Sequence, residues 1–322
     1  MSHLIVFIIA LLCFNNNGIS KKNTIHLDEN GKQYTLKSFN ICNGFIYALD
    51  TRQKSIFMYN KDGSFIKSTL ADGRGPGEFE NIPNRIFCLS SGDIHLVETN
   101  RFHYFSSNLD FIEAKLFDPV LHLNLWQLAE VLAEFDTTFL VSFTNTSLLS
   151  NNQYAIISKE NLNVEKSFGF SGTTSNRILG RGASIFSNDK ILTALALTGD
   201  VIIYNITNDS YHLFNIQNVV SIKELERIAP SRIHPNDRDS MKFLEDGFII
   251  NNIALYNTQI LTIQNKYAEY PGEQLDIYSL EGKLLSSLPL PENISRFTVV
   301  NNKLYGLNDF ETKIHVINLN ID

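Results

Sequence analysis

Residues 42–69 read CNGFIYALDTRQKSIFMYNKDGSFIKST, three short strands punctuated by turns. Asn43-Gly44 is a turn signal ahead of Phe45 to Leu49, which ends in Asp50. Thr51 to Lys54 make the next turn before Ser55 to Tyr59. Lys61-Asp62-Gly63 then turns the chain into Ser64 to Thr69. A pair such as Asn-Gly or Asp-Gly between aromatic and β-branched runs favours a hairpin, because both residues accept the positive φ of a tight turn.

The same order recurs along the chain. A second copy holds Ile86 to Leu89, Ile94 to Val97, Phe102 to Phe105 and Phe111 to Lys115. A looser third holds Thr138 to Thr144, Gln153 to Ser158 and Val164 to Phe168. The fourth reads Ala183 to Phe186, Lys190 to Leu195, Val201 to Asn205 and Ser210 to Asn215. The fifth takes Ser240 to Leu244, Phe248 to Ile253, Gln274 to Ser279 and Lys283 to Leu288. The sixth takes Arg296 to Val300, Lys303 to Leu307 and Lys313 to Asn318. A lone meander cannot bury its apolar face and leaves its edges uncovered. Radial stacking solves both problems, so the expected fold is all-β, a six-bladed β-propeller forming one domain over residues 24–322.

The sixth copy supplies only three strands. Lys32 to Phe39 is strand-like and lacks partners of its own, so it is expected to form the outer strand of the last blade and close the ring. Two stretches sit outside the meander. Ser221 to Ile228 reads as a short helix with Ser221 and Glu224 in capping-box spacing. Leu121 to Phe135 fits either a helix or an irregular strand. Both are expected as excursions between blades.

Gly73-Arg74-Gly75-Pro76-Gly77-Glu78-Phe79 links the first two copies. It is not a phosphate cradle, because a strand rather than a helix follows Pro83; Phe79 is expected to plug the seam between blades. This link, Pro83, and Gly92-Asp93-Ile94-His95-Leu96-Val97-Glu98 resemble the NHL-type six-bladed propellers, more closely the secreted propellers of gut Bacteroidetes-like bacteria. Asp50 matches the acidic residue that ends a strand in that family's repeat, while Glu98 matches it only in charge. The resemblance implies a binding or scaffold module; a minority of the wider fold are lyases or hydrolases with a metal near the central tunnel.

The chain of 322 residues carries a formal net charge of -7 and no basic stripe, which argues against nucleic acid as a partner. Leu4 to Phe14 is an apolar run too short to span a membrane, which takes about 20 residues, and suited to a secretory signal. Residues 1–23 are therefore read as signal peptide and leader. Ala10-Leu11-Leu12-Cys13 resembles a lipoprotein signal, although Leu12 stands where a small residue is usual. The protein is expected to be exported, periplasmic or tethered to the outer membrane through Cys13. Cys42 and Cys88, each in an apolar β-like segment, are expected as buried free thiols.

No HExxH or GxSxG motif is present, and no catalytic residue or cofactor is assigned. Asp50 and Glu98 are expected to cap turns by accepting backbone N–H groups. His95 and His315, inside strands, are expected to have a packed or surface role rather than a catalytic one. The polar loop of Arg232, His234 and Asp237, and the rings of Tyr267 and Tyr270, are the candidate ligand-binding residues. The expected function is a non-catalytic, monomeric binding or scaffolding propeller that takes a protein, peptide or glycan through inter-blade loops. The alternative is a metal-assisted lyase or hydrolase using Asp50, Glu98, Asp309 and His234.

Overall fold

A computed structural model describes residues 20–27, 36–50, 52–70, 72–81, 83, 85–99, 101–117, 127–144, 153–169, 182–195, 199–216, 248–266, 272–307 and 312–319. Every regular element among them is a strand, and the strands form six four-stranded antiparallel sheets. Strand β1 (Ser20–His26) comes first and belongs to the last sheet. Blade 1 is β2 (Leu36–Cys42), β3 (Phe45–Asp50), β4 (Ser55–Asn60) and β5 (Phe65–Leu70). Blade 2 is β6 (Ile86–Cys88), β7 (Ile94–Glu98), β8 (Arg101–Phe105) and β9 (Phe111–Leu116). Blade 3 is β10 (Gln127–Glu134), β11 (Thr138–Thr144), β12 (Tyr154–Ser158) and β13 (Val164–Phe168). Blade 4 is β14 (Gly182–Ser187), β15 (Lys190–Leu195), β16 (Asp200–Asn205) and β17 (Ser210–Asn215). Blade 5 is β18 (Phe248–Tyr256), β19 (Gln259–Lys266), β20 (Gly272–Ser279) and β21 (Leu284–Ile294). Blade 6 is β22 (Arg296–Val300), β23 (Lys303–Leu307) and β24 (Lys313–Asn318), completed by β1.

The first hairpin of a blade turns where the sequence supplies residues that accept positive φ. Asn43-Gly44, Asn188-Asp189 and Asn301-Asn302 have both central residues in that region, the backbone a right-twisted two-residue hairpin requires.

Six apolar clusters fill six seams, one between each pair of neighbouring blades. The middle strands explain how. In β3 every residue after Phe45 is buried, and side chains alternate between faces, so Ile46 and Ala48 enter the seam with blade 6 while Tyr47 and Leu49 enter the seam with blade 2. Each blade is therefore apolar on both faces, not on one. Phe79, fully buried, sits with Leu49, Ile56, Leu96 and Phe105 in the seam between blades 1 and 2, as its place in the glycine-rich link predicts.

The ring closes through an N-terminal strand, but a different one from that expected. Ser20 to His26 pairs with Asn318 to Lys313, whereas Leu36 to Cys42, overlapping the expected closing segment, is the inner strand of blade 1. The first described strand thus begins at Ser20, among residues read as leader. Strand β1 runs so close to the β4–β5 turn that a Cβ on Gly63, at φ +93, would collide with the His26 carbonyl oxygen.

Three further corrections follow. Residues 127–134 are not an excursion but the inner strand of blade 3, with two register shifts against β11. Phe248 to Tyr256 is the first strand of blade 5, not its second, and Gln259 to Lys266 supplies the strand missing from the reading. Cys42 and Cys88 are joined in a disulfide, their Cα atoms 5.8 Å apart, rather than left as free thiols. Strands β2 and β6 lie side by side, and both sulfurs face the same seam. Ser221 to Ile228 and Ser240 to Leu244 lie outside the described residues.

Candidate functional site at the central tunnel

The innermost strands β2, β6, β10, β14, β18 and β22 meet between sheets and enclose the central tunnel. Two asparagines tie this inner wall together. Asn40 Nδ2 donates to the Ile86 carbonyl at 3.2 Å, and Asn252 Nδ2 donates to the Phe297 carbonyl, each crossing to the next inner strand. In each case the amide oxygen accepts the N–H of the following residue, Ile41 or Ile253, which fixes the orientation of the amide.

Arg85, one residue before β6, reaches further. Its Nη1 lies 3.2 Å from Glu130 Oε2 on β10 and donates to the Ser184 carbonyl on β14 at 3.4 Å. A side chain of blade 2 that touches blade 4 must cross the space the inner strands enclose. The Arg85 side chain is 38% exposed and that of Glu130 16%, so the pair is open to whatever fills the tunnel. Behind it, Ser184 Oγ and Tyr154 Oη both bond Thr193 Oγ1, at 2.8 and 2.5 Å, a buried chain from blade 3 to blade 4. Burial raises the Tyr154 phenol to about 12, so it remains neutral.

The acidic residues that end the second strands are structural. Asp50, fully buried, accepts the Gln53 N–H at 2.6 Å and caps the β3–β4 turn. Glu98 accepts the Asn81 N–H with Oε1 at 2.5 Å, holding the glycine-rich link to blade 2, and meets His103 Nε2 with Oε2 at 3.0 Å. Phe79 stands edge-on to the His103 ring, 4.8 Å away, and seals it. Burial pushes the His103 imidazole below its usual range, opposed by the hydrogen bond to Glu98. A carboxylate–imidazole pair has the composition of a general base, but both side chains are at most 4% exposed, out of reach of a substrate.

His95 takes the packed of its two expected roles. It is fully buried among Phe102, Tyr104 and Phe139, with neither ring nitrogen bonded, and burial pushes it down to about 3. His315 is also buried. Among the described residues no three His, Cys, Asp or Glu side chains lie close enough to hold a metal ion. Arg232, His234, Asp237, Tyr267, Tyr270, Asp309 and Cys13 lie outside the described residues. Neither Arg85 nor Glu130 was singled out in the sequence. The available signal was Arg85 as the first cation after the glycine-rich link and Pro83.

Solved structures share the architecture. A Bacteroides fragilis protein whose name describes it as exported superposes with a TM-score of 0.65 at 11% identity, over 95% of this chain and 96% of its own. A Bacteroides vulgatus member of the DUF4221 family gives 0.64 at 10% identity, over 94% and 98%. A Bacteroides caccae protein of unknown function gives 0.51 at 13% identity, over 84% and 92%. No curated protein matches the sequence. At such identities these likenesses speak to the fold alone. The family DUF5128, described as a 6-bladed beta-propeller, matches residues 28–270, well over half of the sequence, and the chain belongs to that family.

Proposed function

We propose that this protein is a non-catalytic, extracytoplasmic binding propeller that takes its ligand at the mouth of the central tunnel and on the inter-blade loops around it. The observation that carries the reading is the contrast between the sealed Glu98–His103 pair and the accessible Arg85–Glu130 pair. The groups that would do acid–base chemistry are locked under Phe79, while the groups open to the tunnel are suited to recognition. The loops of Arg232 to Asp237 and Tyr267 to Tyr270 belong to this reading as ligand contacts, and the NHL-like pattern of the first two copies as its ancestry.

Export is supported by the Leu4 to Phe14 run, by the Cys42–Cys88 disulfide, which suits an oxidising compartment, and by the likeness to a protein named as exported. Cys13 offers a point for lipid attachment. Intact-mass analysis of the protein recovered from cell envelopes tests this: a chain cleaved within residues 1–19 is expected, and a cytosolic chain retaining Met1 would overturn it.

The binding reading is tested by elemental analysis of the purified protein together with thermal-shift screening against sugar acids, amino acids and peptides. A raised melting midpoint without stoichiometric metal is expected. Stoichiometric metal with turnover of a screened compound would establish the lyase or hydrolase alternative instead.

A further inference from the structure

The two open side chains in the tunnel carry unused hydrogen-bonding capacity, and its geometry defines a ligand. Both contacts of Arg85 use Nη1; Nε and Nη2 have no partner among the described residues. Those two N–H groups form one edge of a planar guanidinium, the edge that a carboxylate grips with two parallel hydrogen bonds. Glu130 uses only Oε2 among the described residues, leaving Oε1 as an acceptor in the same side-chain pair. Glu130 also nearly cancels the Arg85 charge, so the site has no surplus cation to neutralise a dianion such as phosphate. A monoanion fits better, provided it brings a donor for Oε1.

We propose that Arg85 and Glu130 form a binding site for a small carboxylate that carries a hydrogen-bond donor, a hydroxyl or an ammonium, on the neighbouring carbon. The inference rests on the binding reading above and narrows it to one ligand chemistry and one pair of residues. The fixed backdrop supports recognition without rearrangement, because the Ser184 carbonyl and the Glu130 carboxylate hold Nη1 and so set the plane of the guanidinium. A sugar acid and an α-amino acid both present this chemistry.

Isothermal titration of the full mature chain with D-galacturonate, L-serine and acetate tests the site. At least one of the first two should bind at least tenfold more tightly than acetate, and which one binds identifies the donor as hydroxyl or ammonium. Arg85→Lys keeps the charge but removes the two-pronged edge, and should weaken that binding at least tenfold at an unchanged melting midpoint. Glu130→Gln should bring the preferred ligand close to acetate. Lack of binding of all three probes at 10-millimolar order to folded wild type, or equal affinity of the wild type for all three, would overturn the proposal. So would binding that Arg85→Lys leaves intact. If another screened compound binds and is indifferent to Arg85→Lys, this site fails while the binding function stands. Stoichiometric metal with turnover removes the binding function itself.

Discussion

Glu98 grips the backbone N–H of Asn81 at 2.5 Å, and so the residue that ends the second strand of blade 2 also anchors the link arriving from blade 1. Its other oxygen orients His103 under Phe79. Removing the carboxylate leaves an N–H and an imidazole unpaired in a buried site. Glu98→Ala should therefore lose about 2–4 kcal/mol of stability in urea unfolding. Glu98→Gln, which keeps an acceptor for Asn81, should lose about half of that. Ligand binding at the tunnel should survive Glu98→Gln, since the pair is sealed from it; a loss of binding without a loss of stability would contradict the structural role.

Phe79 is the plug itself. Phe79→Ala opens a cavity in the first seam and should cost about 3–5 kcal/mol, read as a lowered denaturant midpoint with an unchanged slope.

Acid sensitivity should trace in part to His95. Its folded pKa of about 3 lies below the unfolded value of about 6.5, so the unfolded chain takes up the proton first. This contribution to stability is whole above about pH 6.5 and falls as the pH drops towards 3, by at most about 1.4 kcal/mol per unit. The ring faces Phe102, Tyr104 and Phe139. Lys115 lies over Tyr104, Lys159 over Phe139, Glu113 and Glu134 act on Tyr104, and His103 acts on His95 itself. Burial likewise lowers His103, and Glu134 is held low by Lys159 and the Ser90 N–H, so both add acid sensitivity of their own. His95→Phe, which suits the aromatic surroundings, should flatten the stability profile between pH 6.5 and 4.5 relative to wild type. Parallel profiles for the two proteins would refute this assignment.

Reduction should loosen the first seam. The Cys42–Cys88 bond spans 46 residues of sequence, and on the chain-entropy account closing such a loop stabilises by about 4 kcal/mol. Unfolding with and without reductant, set against a Cys42→Ala/Cys88→Ala variant, measures it. Equal midpoints in all three would show that the bond contributes nothing.

The outer three strands of blade 1 were legible because Asn43-Gly44 and Asp62-Gly63 mark the hairpins between aromatic and β-branched runs. Blade 5 was misphased because its first hairpin turns at Asn257-Thr258, where only Asn257 takes positive φ and no glycine marks the turn. The inner strand of blade 3 looked helical because register shifts after Leu128 and Val131 break the two-residue period, leaving Leu128, Val131, Leu132 and Phe135 at helical spacing. The cysteines gave no hint of pairing, since each sits in an ordinary apolar strand and only the ring brings β2 beside β6. Arg85 and Glu130 were invisible for the same reason: they are 45 residues apart, with no local motif, and become a site only across the tunnel.

The pairing of Ser20 with Asn318 makes the first strand of the described residues wait for the last. Blades 1 to 5 can each assemble from neighbouring segments, whereas the sixth must join Ser20–His26 to Lys313–Asn318, at the two ends of the described residues. Contacts of such long sequence separation form slowly, so ring closure is expected to be the late step of folding. A strand that must wait unpaired in water is an aggregation hazard, and the composition of β1 answers it. Ser20-Lys21-Lys22-Asn23-Thr24 is polar and cationic, a segment that stays soluble alone and leaves its apolar residue, Ile25, to dock at the end.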